Sequence, residues 1–456
     1  VLYTTFNDFM ADHAEYDLQE ARKGNLSFFI LDDSTDPVKW MEIDAFSNEY
    51  NCHVIRRSDR SGYKAGAVNH WVDQLGQEYD YFFILDSDSR ASIKAINYCV
   101  ELAKRDRKLA IIQTKTLTMT STPTRMTKSS VTVQHAYMEI VQKAMKNLGT
   151  SPYYGHNALV KIEALRLVGG FVEESNEDYK TLARMYQKGY RSLYAEKAIT
   201  WEEVPPDYMS SRSRALRWSR DAVTQMSLLK YGGPEAVGFF LFYGWVTHMS
   251  NVALISLLPL LTMATFPHLF GNGMILVASS ATLSVIILWP LLALRIDDPE
   301  LTLRKMGKAL FWGSVYNIPM MAPVSVQIVK TSVTRFWLLC KRVAGFPGKP
   351  VEVFVVTPKK KEIERTLASV LSNKKAEIAL GVGIILVALI SQHVWSIFFA
   401  LPQILSAIAL PLLVFYESRA IHSGYRKPWA FHKRIPYYLG GTPNPPTAEL
   451  QRLLVR

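Results

Sequence analysis

Residues Tyr81–Asp88, with the sequence YFFILDSD, decide the fold class of this 456-residue chain. The run Tyr81–Leu85 is apolar, as in a buried strand, and carboxylates follow it at Asp86 and Asp88. Short apolar runs of this kind, separated by helical stretches, indicate an α/β domain with a largely parallel sheet. In such sheets ligands bind beyond the carboxyl ends of the strands, so the polar residues that follow each strand are candidates for function.

Other short apolar or β-branched runs lie on both sides of this strand. Helical stretches separate them at Gly66–Leu75 and Ile93–Lys104. The first run starts at Val1 without a methionine or a signal peptide, and we expect the natural chain to begin further upstream. The predicted strands are Val1–Thr5, Leu26–Leu31, His53–Arg57 and Ala110–Gln113.

The charge is distributed unevenly along the chain. The chain is 49% hydrophobic and 20% charged with a net charge of +12, a composition that excludes a disordered protein or a nucleic-acid-binding tail. Residues 1–236 carry 30 Lys and Arg against 31 Asp and Glu, a net charge of −1. Residues 330–376 carry 11 against 3 and residues 417–456 carry 7 against 2, net charges of +8 and +5. Three scattered cysteines, at positions 52, 99 and 340, fit neither a disulfide framework nor a zinc site, which indicates a thiol-reducing compartment.

The second half of the chain also contains long apolar runs. Val237–Phe266 and Met274–Leu294 have no charged residue, and Ile378–Tyr416 is uncharged over 39 residues, enough for two spans of ~20 residues each. Because positive charge favours the cytoplasmic side, the basic segments predict a multi-pass protein of the cell membrane with its first domain in the cytoplasm. A full crossing at Ala309–Val329 would place the +8 segment outside, so we expect Ala309–Arg342 to form proline-broken helices at the membrane interface.

These patterns divide the chain into five parts. They are a cytoplasmic catalytic domain at 1–236, two transmembrane helices at 237–294, cytoplasmic or interfacial helices with a loop at 295–376, two further transmembrane helices at 377–416, and a cytoplasmic tail at 417–456.

Acidic residues follow three elements of the first domain. Two carboxylates at Asp86 and Asp88 repel each other unless a cation lies between them, and Mg²⁺ or Mn²⁺ held by carboxylates and substrate phosphates is the usual solution. A DxD sequence is also common in plain turns. Glu177 and Asp178 begin a helix, where acids stabilise the helix dipole, and one of them is alternatively a general base.

Taken in order, these residues resemble the membrane-embedded family 2 glycosyltransferases, which include cellulose, hyaluronan and chitin synthases. The matching elements are Asp33 after the second strand, Lys64–Asn69 (KAGAVN), Asp86–Asp88 (DSD), Gly155–Ala158 (GHNA) ahead of Gly169–Phe171, Glu177–Asp178, Arg217–Trp218, and Phe354–Lys359 (FVVTPK). One position departs from the pattern, because Arg214 stands where the QxxRW element of the family has glutamine.

The resemblance implies a GT-A type domain and an inverting transfer from a nucleotide-sugar. It makes Asp178 the base with Glu177 beside it, and Asp86 and Asp88 the ligands of Mg²⁺ or Mn²⁺. It further implies nucleotide contacts and acceptor contacts. The implied nucleotide contacts are Asp33, Lys64, Asp86, Arg217, Thr357 and Lys359, and the implied acceptor contacts are Gly155, His156, Asn157 and Trp218.

The expected function is therefore transfer of sugar from a nucleotide-sugar, by preference a UDP-sugar, to a growing polysaccharide that crosses the bilayer. The expected partners are the donor, a carbohydrate acceptor and lipid, and no nucleic acid. Two alternatives stay open at this point. The first is a non-processive glycosyltransferase with a lipid-linked or short acceptor, because Arg214 departs from the family pattern. The second is a transporter with a nucleotide-sensing domain, which fits the predicted spans but leaves Asp178 and Trp218 unexplained.

Overall fold

The computed structural model describes most of the first domain. The described residues are 2–3, 26–119, 127, 137–174, 176–205, 207–224, 303–343, and isolated positions of 379–390. The predicted spans Val237–Phe266 and Met274–Leu294 and the FVVTPK segment lie outside them, as does nearly all of Ile378–Tyr416. Within the described part, no helix combines the length and apolarity that a bilayer crossing requires.

The first domain is built on one mixed sheet of eight strands. The strands are β1 (Leu2–Tyr3), β2 (Phe29–Asp32), β3 (His53–Arg56), β4 (Tyr81–Leu85), β5 (Ser89–Ala91), β6 (Leu109–Met119), β7 (Ala158–Lys161) and β8 (Arg191–Glu203). Their order across the sheet is β3-β2-β1-β4-β7-β6-β8-β5. The predicted strands are confirmed, and β5, β7 and β8 are additional.

Helices cover both faces of this sheet. They are α1 (Pro37–Tyr50), α2 (Tyr63–Gln74), α3 (Ile93–Arg105), α4 (Lys143–Asn147), α5 (Ile162–Leu167), α6 (Glu177–Gln187) and α7 (Tyr208–Thr224). One apolar core, around Trp71, lies under α2, α5 and α6, and a second, around Cys99, lies under α1 and α3. Burial of apolar area on both faces provides the main stabilisation of the domain.

The sheet is less parallel than expected. Strands β3, β2, β1 and β4 are parallel neighbours, as are β6 and β8. Strand β7, however, is antiparallel to both β4 and β6, and β5 is antiparallel to β8. The chain enters β7 through a turn in which Gly155 and Asn157 have positive φ angles of 83° and 53°.

The expectation of proline-broken helices at Ala309–Arg342 is wrong. One uninterrupted helix, α8, spans Leu303–Val343 with Pro319 and Pro323 inside it. A proline removes one helical hydrogen bond but does not end a helix whose neighbouring turns are packed. Here α8 packs against α7, with Val223 and Ile328 buried between them.

Candidate active site

Strand β4 delivers Asp86 to the end of the sheet, where it meets Lys64. The Lys64 ammonium lies 3.2 Å from Asp86 Oδ1 and donates to the carbonyl of Gly155 at 3.1 Å. Lys64 comes from the first turn of α2, which begins after Gly62 in the left-handed region. Three separate segments, the first turn of α2, the end of β4 and the turn before β7, therefore meet at the Lys64 ammonium group.

The turn before β7 brings Gly155 close to the acids at the start of α6. A Cβ atom built on Gly155 would lie 3.3 Å from Lys64 Nζ, 3.7 Å from Glu177 Oε1 and 3.8 Å from Asp178 Cβ. The main-chain N–H of Asn157 donates to the carbonyl of Ile84 at 2.8 Å, which ties this turn to β4 just ahead of Asp86. Glycine at 155 thus leaves room for a close approach of Lys64, Glu177 and Asp178.

Asp178 is half-buried in the first turn of α6. Burial, reinforced by the neighbouring charge of Glu177, raises the pKa of Asp178 to about 8, although its carboxylate accepts from the Tyr179 N–H at 2.8 Å. Asn176, in the left-handed region, precedes this turn and donates from its amide to the carbonyl of Asp221 in α7. The acid pair is thereby held at the junction of α6 and α7.

The charges around Asp178 act on its neighbours as well. Burial alone would lower the pKa of Lys64, but Asp86, Glu177 and Asp178 outweigh that effect and the pKa is raised. Tyr153 is buried, and the same three carboxylates add to burial in raising the pKa of its phenol well above the usual value. Both groups are therefore protonated at neutral pH, so each can donate a hydrogen bond.

His156 connects this cluster to the end of β8. Its Nδ1 atom lies 3.7 Å from Asp86 Oδ2, and its Nε2 atom lies 3.4 Å from Glu202 Oε2. Burial lowers the pKa of His156, but Asp86 and Glu202 more than compensate, so that the pKa is raised overall. A carboxylate on each side of the ring favours the imidazolium form.

Asp86 and Asp88 are the residues from which the sequence predicts a metal site. In the described part of the chain, no group of three or more His, Cys, Asp or Glu side chains is placed to hold a metal ion. Asp86 and Asp88 are hard oxygen donors separated by one residue, and one or two carboxylates completed by substrate phosphates and water suffice for Mg²⁺. The residues present therefore fit a divalent cation that binds together with the diphosphate.

Helix α7 carries the arginines and the tryptophan of the QxxRW-like element. Trp218 is 40% exposed, and the Arg214 guanidinium lies over its ring, 4.8 Å from the centroid. Arg214 Nη1 is 3.9 Å from Glu202 Oε1. Burial lowers the pKa of Arg214, Glu202 opposes this effect, and the like charge of Arg217 adds to it.

Comparison with known proteins finds relatives of one family. Residues 81–296, just under half of the chain, match a family model described as glycosyl transferase family group 2. This stretch of the chain is therefore similar to family 2 glycosyltransferase domains. This match and the glucosyltransferase relatives confirm the predicted enzyme class, and the matched region includes Asp86, Asp88, Asp178 and Trp218.

Individual relatives are distant. Glucans biosynthesis glucosyltransferase H from Bradyrhizobium diazoefficiens is 25% identical over 227 residues, which are 45% of this chain and 30% of that protein. A probable glucomannan 4-beta-mannosyltransferase 15 from Arabidopsis thaliana is 22% identical over 203 residues, 42% of this chain and 37% of that protein. The chain thus spans about a third of the length of these curated relatives. A mannosyltransferase structure from Pyrobaculum calidifontis, in complex with GDP-Man and Mn²⁺, aligns with a TM-score of 0.44 at 15% identity over 70% of this chain and 86% of that chain.

Asp33 and Asn157, which the resemblance assigns to the nucleotide and the acceptor, form hydrogen bonds within the protein. Both carboxylate oxygens of Asp33 accept from Arg57, at 2.8 and 2.6 Å, and Arg57 also donates to the carbonyl of Ser61 in the loop before α2. Asn157 is fully buried, and its side-chain amide donates to Thr116. In this arrangement Asp33 orders the loop that leads to Lys64, and Asn157 orders the start of β7.

The sequence interpretation missed Glu202 and Tyr153. Glu202 follows the apolar run Ala198–Trp201, so the rule that drew attention to Asp86 would have found it. Tyr153 offered no such signal, because it does not follow an apolar run. The predicted nucleotide contacts Thr357 and Lys359 lie outside the described residues.

Proposed function

We propose that this protein is an inverting glycosyltransferase that moves a sugar from a nucleotide-sugar to a carbohydrate acceptor, with Asp178 as the base. The observation that carries the proposal is the convergence of Lys64, Asp86 and Asp178 around Gly155. The exposed Trp218 is connected to this cluster through Arg214, Glu202 and His156. A cation for the leaving diphosphate, a base for the attacking hydroxyl and a surface for a sugar ring are the groups that such a transfer requires.

The reaction needs one displacement at the anomeric carbon. An acceptor hydroxyl oxygen forms the new C–O bond as the bond to the diphosphate oxygen breaks, the hydroxyl proton passes to the Asp178 carboxylate, and the nucleoside diphosphate leaves. A carboxylate of ordinary pKa, ~4, is a weak base toward a hydroxyl. The raised pKa of Asp178 strengthens it, because a proton that it accepts is held more tightly.

Negative charge develops on the departing diphosphate, and the site offers positive charge to meet it. Lys64 is half-buried and positively charged, and Arg217 is the cation that the QxxRW-like element supplies from α7. A divalent cation held by Asp86 and Asp88 would supply Lewis-acid stabilisation of the same charge. The charge of Lys64 next to Asp86 also limits the repulsion between that acid and the diphosphate.

Trp218 provides the acceptor side of the site. The exposed part of its ring is an apolar face on which a sugar can stack, and Arg214 lies against the ring. We propose that the acceptor is a growing polysaccharide, supported by Arg217–Trp218 and by the FVVTPK segment, and that the product passes into the membrane formed by the apolar runs of the second half. On this proposal the enzyme is a multi-pass protein of the cell membrane whose catalytic domain faces the cytoplasm.

The donor is proposed at the level of a nucleoside diphosphate sugar, with a UDP-sugar as the first choice. Purified membranes that contain the full chain should release nucleotide from one member of a panel of UDP- and GDP-sugars when Mn²⁺ or Mg²⁺ is present. Sizing of the labelled product then separates a polymer from a single added sugar. Turnover that is independent of divalent metal, or full activity of Asp178→Asn, would contradict the proposal.

A further inference from the structure

Glu202 lies between the diphosphate side of the proposed site, at Asp86, and its acceptor side, at Trp218. Its Oε2 atom faces His156 Nε2 at 3.4 Å, and its Oε1 atom faces Arg214 Nη1 at 3.9 Å. His156 in turn lies 3.7 Å from Asp86 on the diphosphate side, and Arg214 lies over Trp218 on the acceptor side. One carboxylate therefore contacts a residue of each side.

The backbone holds Glu202 firmly in this position. It is the next-to-last residue of β8, where it is in register with Ser89 of β5 and with Thr118 of β6. Strand β5 starts directly after Asp88, so the same strand pairing also restrains the DSD turn. The side chain of Glu202 is 14% exposed, which limits its freedom further.

The negative charge of Glu202 compensates the positive charge of Arg214 and favours the imidazolium form of His156. Arg214 is mostly buried, lies near the like charge of Arg217, and gains a compensating carboxylate from Glu202. A buried guanidinium without such a partner would be costly, and it would turn toward water instead of lying on the Trp218 ring. The same carboxylate faces the His156 edge opposite to Asp86.

We infer that Glu202 is a positioning residue that holds His156 beside Asp86 and Arg214 over Trp218, so that the diphosphate side and the acceptor side of the site are fixed together. The inference rests on the proposed function. It also gives a physical role to Arg214, since a glutamine at this position would carry no charge to pair with Glu202 and no cation to stack on Trp218.

A double-mutant cycle tests this inference on the full-length protein in membranes. Glu202→Gln, Arg214→Gln and the double variant are compared for kcat and donor KM of nucleotide release, with the donor that the wild type turns over fastest. The matched control is Glu196→Gln, since Glu196 lies on the same strand but pairs with Lys143 and Lys146 away from the site. Thermal unfolding of each variant reports on folding separately.

We expect Glu202→Gln to lower kcat about tenfold and to raise donor KM about threefold, because both His156 and Arg214 lose the carboxylate that positions them. Arg214→Gln should lower kcat by a similar factor at unchanged donor KM, since it affects the acceptor side alone. The double variant should match Glu202→Gln within about twofold, as expected for residues that act through one contact. Glu196→Gln should behave as the wild type.

Two results would overturn the inference. One is a double variant whose loss is the product of the two single losses. The other is a Glu202→Gln protein that equals Glu196→Gln in kcat and donor KM, or differs only by a lower unfolding temperature and a smaller active fraction. A wild type that releases nucleotide from no donor in the panel would instead contradict the proposed function itself.

A second cycle keeps the inference testable should Glu202→Gln fail to fold. His156 and Arg214 contact opposite oxygens of Glu202, so His156→Gln and Arg214→Gln should be non-additive in kcat. Independent effects of these two substitutions would overturn the inference as well.

Discussion

Asp178 is a half-buried acid whose ionised form the fold disfavours, and this lowers the stability of the protein at high pH. Its folded-state pKa is about 8, whereas an aspartate of the unfolded chain titrates near ~4. Above pH ~4 the unfolded state loses its proton first, so folding becomes less favourable as the pH rises, until the folded carboxyl also ionises near pH 8. The destabilisation is absent below pH ~4 and constant above pH 8.

We therefore predict that Asp178→Asn stabilises the protein while it removes activity. The amide can still accept from the Tyr179 N–H and carries no charge to desolvate. The gain in unfolding free energy should be on the order of 1–3 kcal/mol at pH 8 and vanish near pH 4. Thermal unfolding at both pH values measures it, with Glu163→Gln as a control because Glu163 is exposed and paired with Lys161. An Asp178→Asn protein that is less stable than the wild type at pH 8 would show that the fold does not destabilise the ionised carboxylate.

The pH dependence of the reaction gives a second test at the residue scale. Since the ionised form of Asp178 is the base, kcat/KM for the donor should rise with pH with its midpoint near pH 8, where half of the carboxyl is ionised, and level off at higher pH. Glu177→Gln removes the like charge that raises this pKa, so the midpoint should move to lower pH by up to about one unit. A midpoint that stays in place in Glu177→Gln would exclude Asp178 as the titrating group.

At the scale of elements, Asn69 joins α2 to the loop that precedes the acid pair. Its amide donates to the carbonyl of Phe171 at 2.9 Å, and its side-chain oxygen accepts from the Phe171 N–H at 2.7 Å. Gly170, with φ of 84°, allows this approach, because a Cβ there would lie 2.7 Å from the Asn69 oxygen. The KAGAVN motif thus contributes Lys64 to the site and Asn69 to the loop.

We predict that Asn69→Ala destabilises the domain by about 1–3 kcal/mol, since it leaves buried main-chain groups without partners. It should also lower kcat more than it raises donor KM, because the loop leads to Glu177 and Asp178 while Lys64 stays in place. Unfolding and steady-state kinetics measure the two effects, and Asn69→Asp is the matched variant that keeps an acceptor for the Phe171 N–H. An Asn69→Ala protein with wild-type stability would show that these hydrogen bonds are dispensable.

Elements that follow a simple hydrophobic pattern could be predicted from the sequence, and others could not. Strands β2, β3 and β4 are short apolar runs with acids or arginines after them, and they occur as predicted. Strand β5 is three residues long and β8 is interrupted by a bulge, so neither shows a regular period. In α8, two prolines predicted a break that packing against α7 prevents.

The same distinction applies to the site. The resemblance to family 2 glycosyltransferases implied that Lys64, Asp86 and Asp178 belong to one site, and the fold brings these three around Gly155. The pairing of Asp33 with Arg57, and the position of Glu202 between His156 and Arg214, depend on which strand lies next to which. Strand order in a mixed sheet is a long-range property that a single sequence pattern does not contain.

At the scale of the whole molecule, the proposal joins a balanced catalytic domain to a basic, apolar second half. Lys359 is one of the two residues of the second half, with Thr357, that the resemblance assigns to the nucleotide. We predict that Lys359→Ala lowers turnover at least tenfold without releasing the protein from membranes, whereas Lys360→Ala changes neither. Sedimentation with vesicles and nucleotide release measure the two properties. An equal loss of turnover and membrane association, or a loss of neither, would show that Lys359 has no specific contact with the nucleotide.

The central claim is that this chain transfers a sugar with inversion and that Asp178 takes the acceptor proton. The most direct measurement is NMR of the reaction of an α-linked nucleotide-sugar labelled with ¹³C at the anomeric carbon, with wild type and Asp178→Asn side by side. We predict that the wild type produces nucleoside diphosphate together with a β-linked anomeric signal, and that Asp178→Asn produces neither. An α-linked product, or the same signals from Asp178→Asn, would contradict the account.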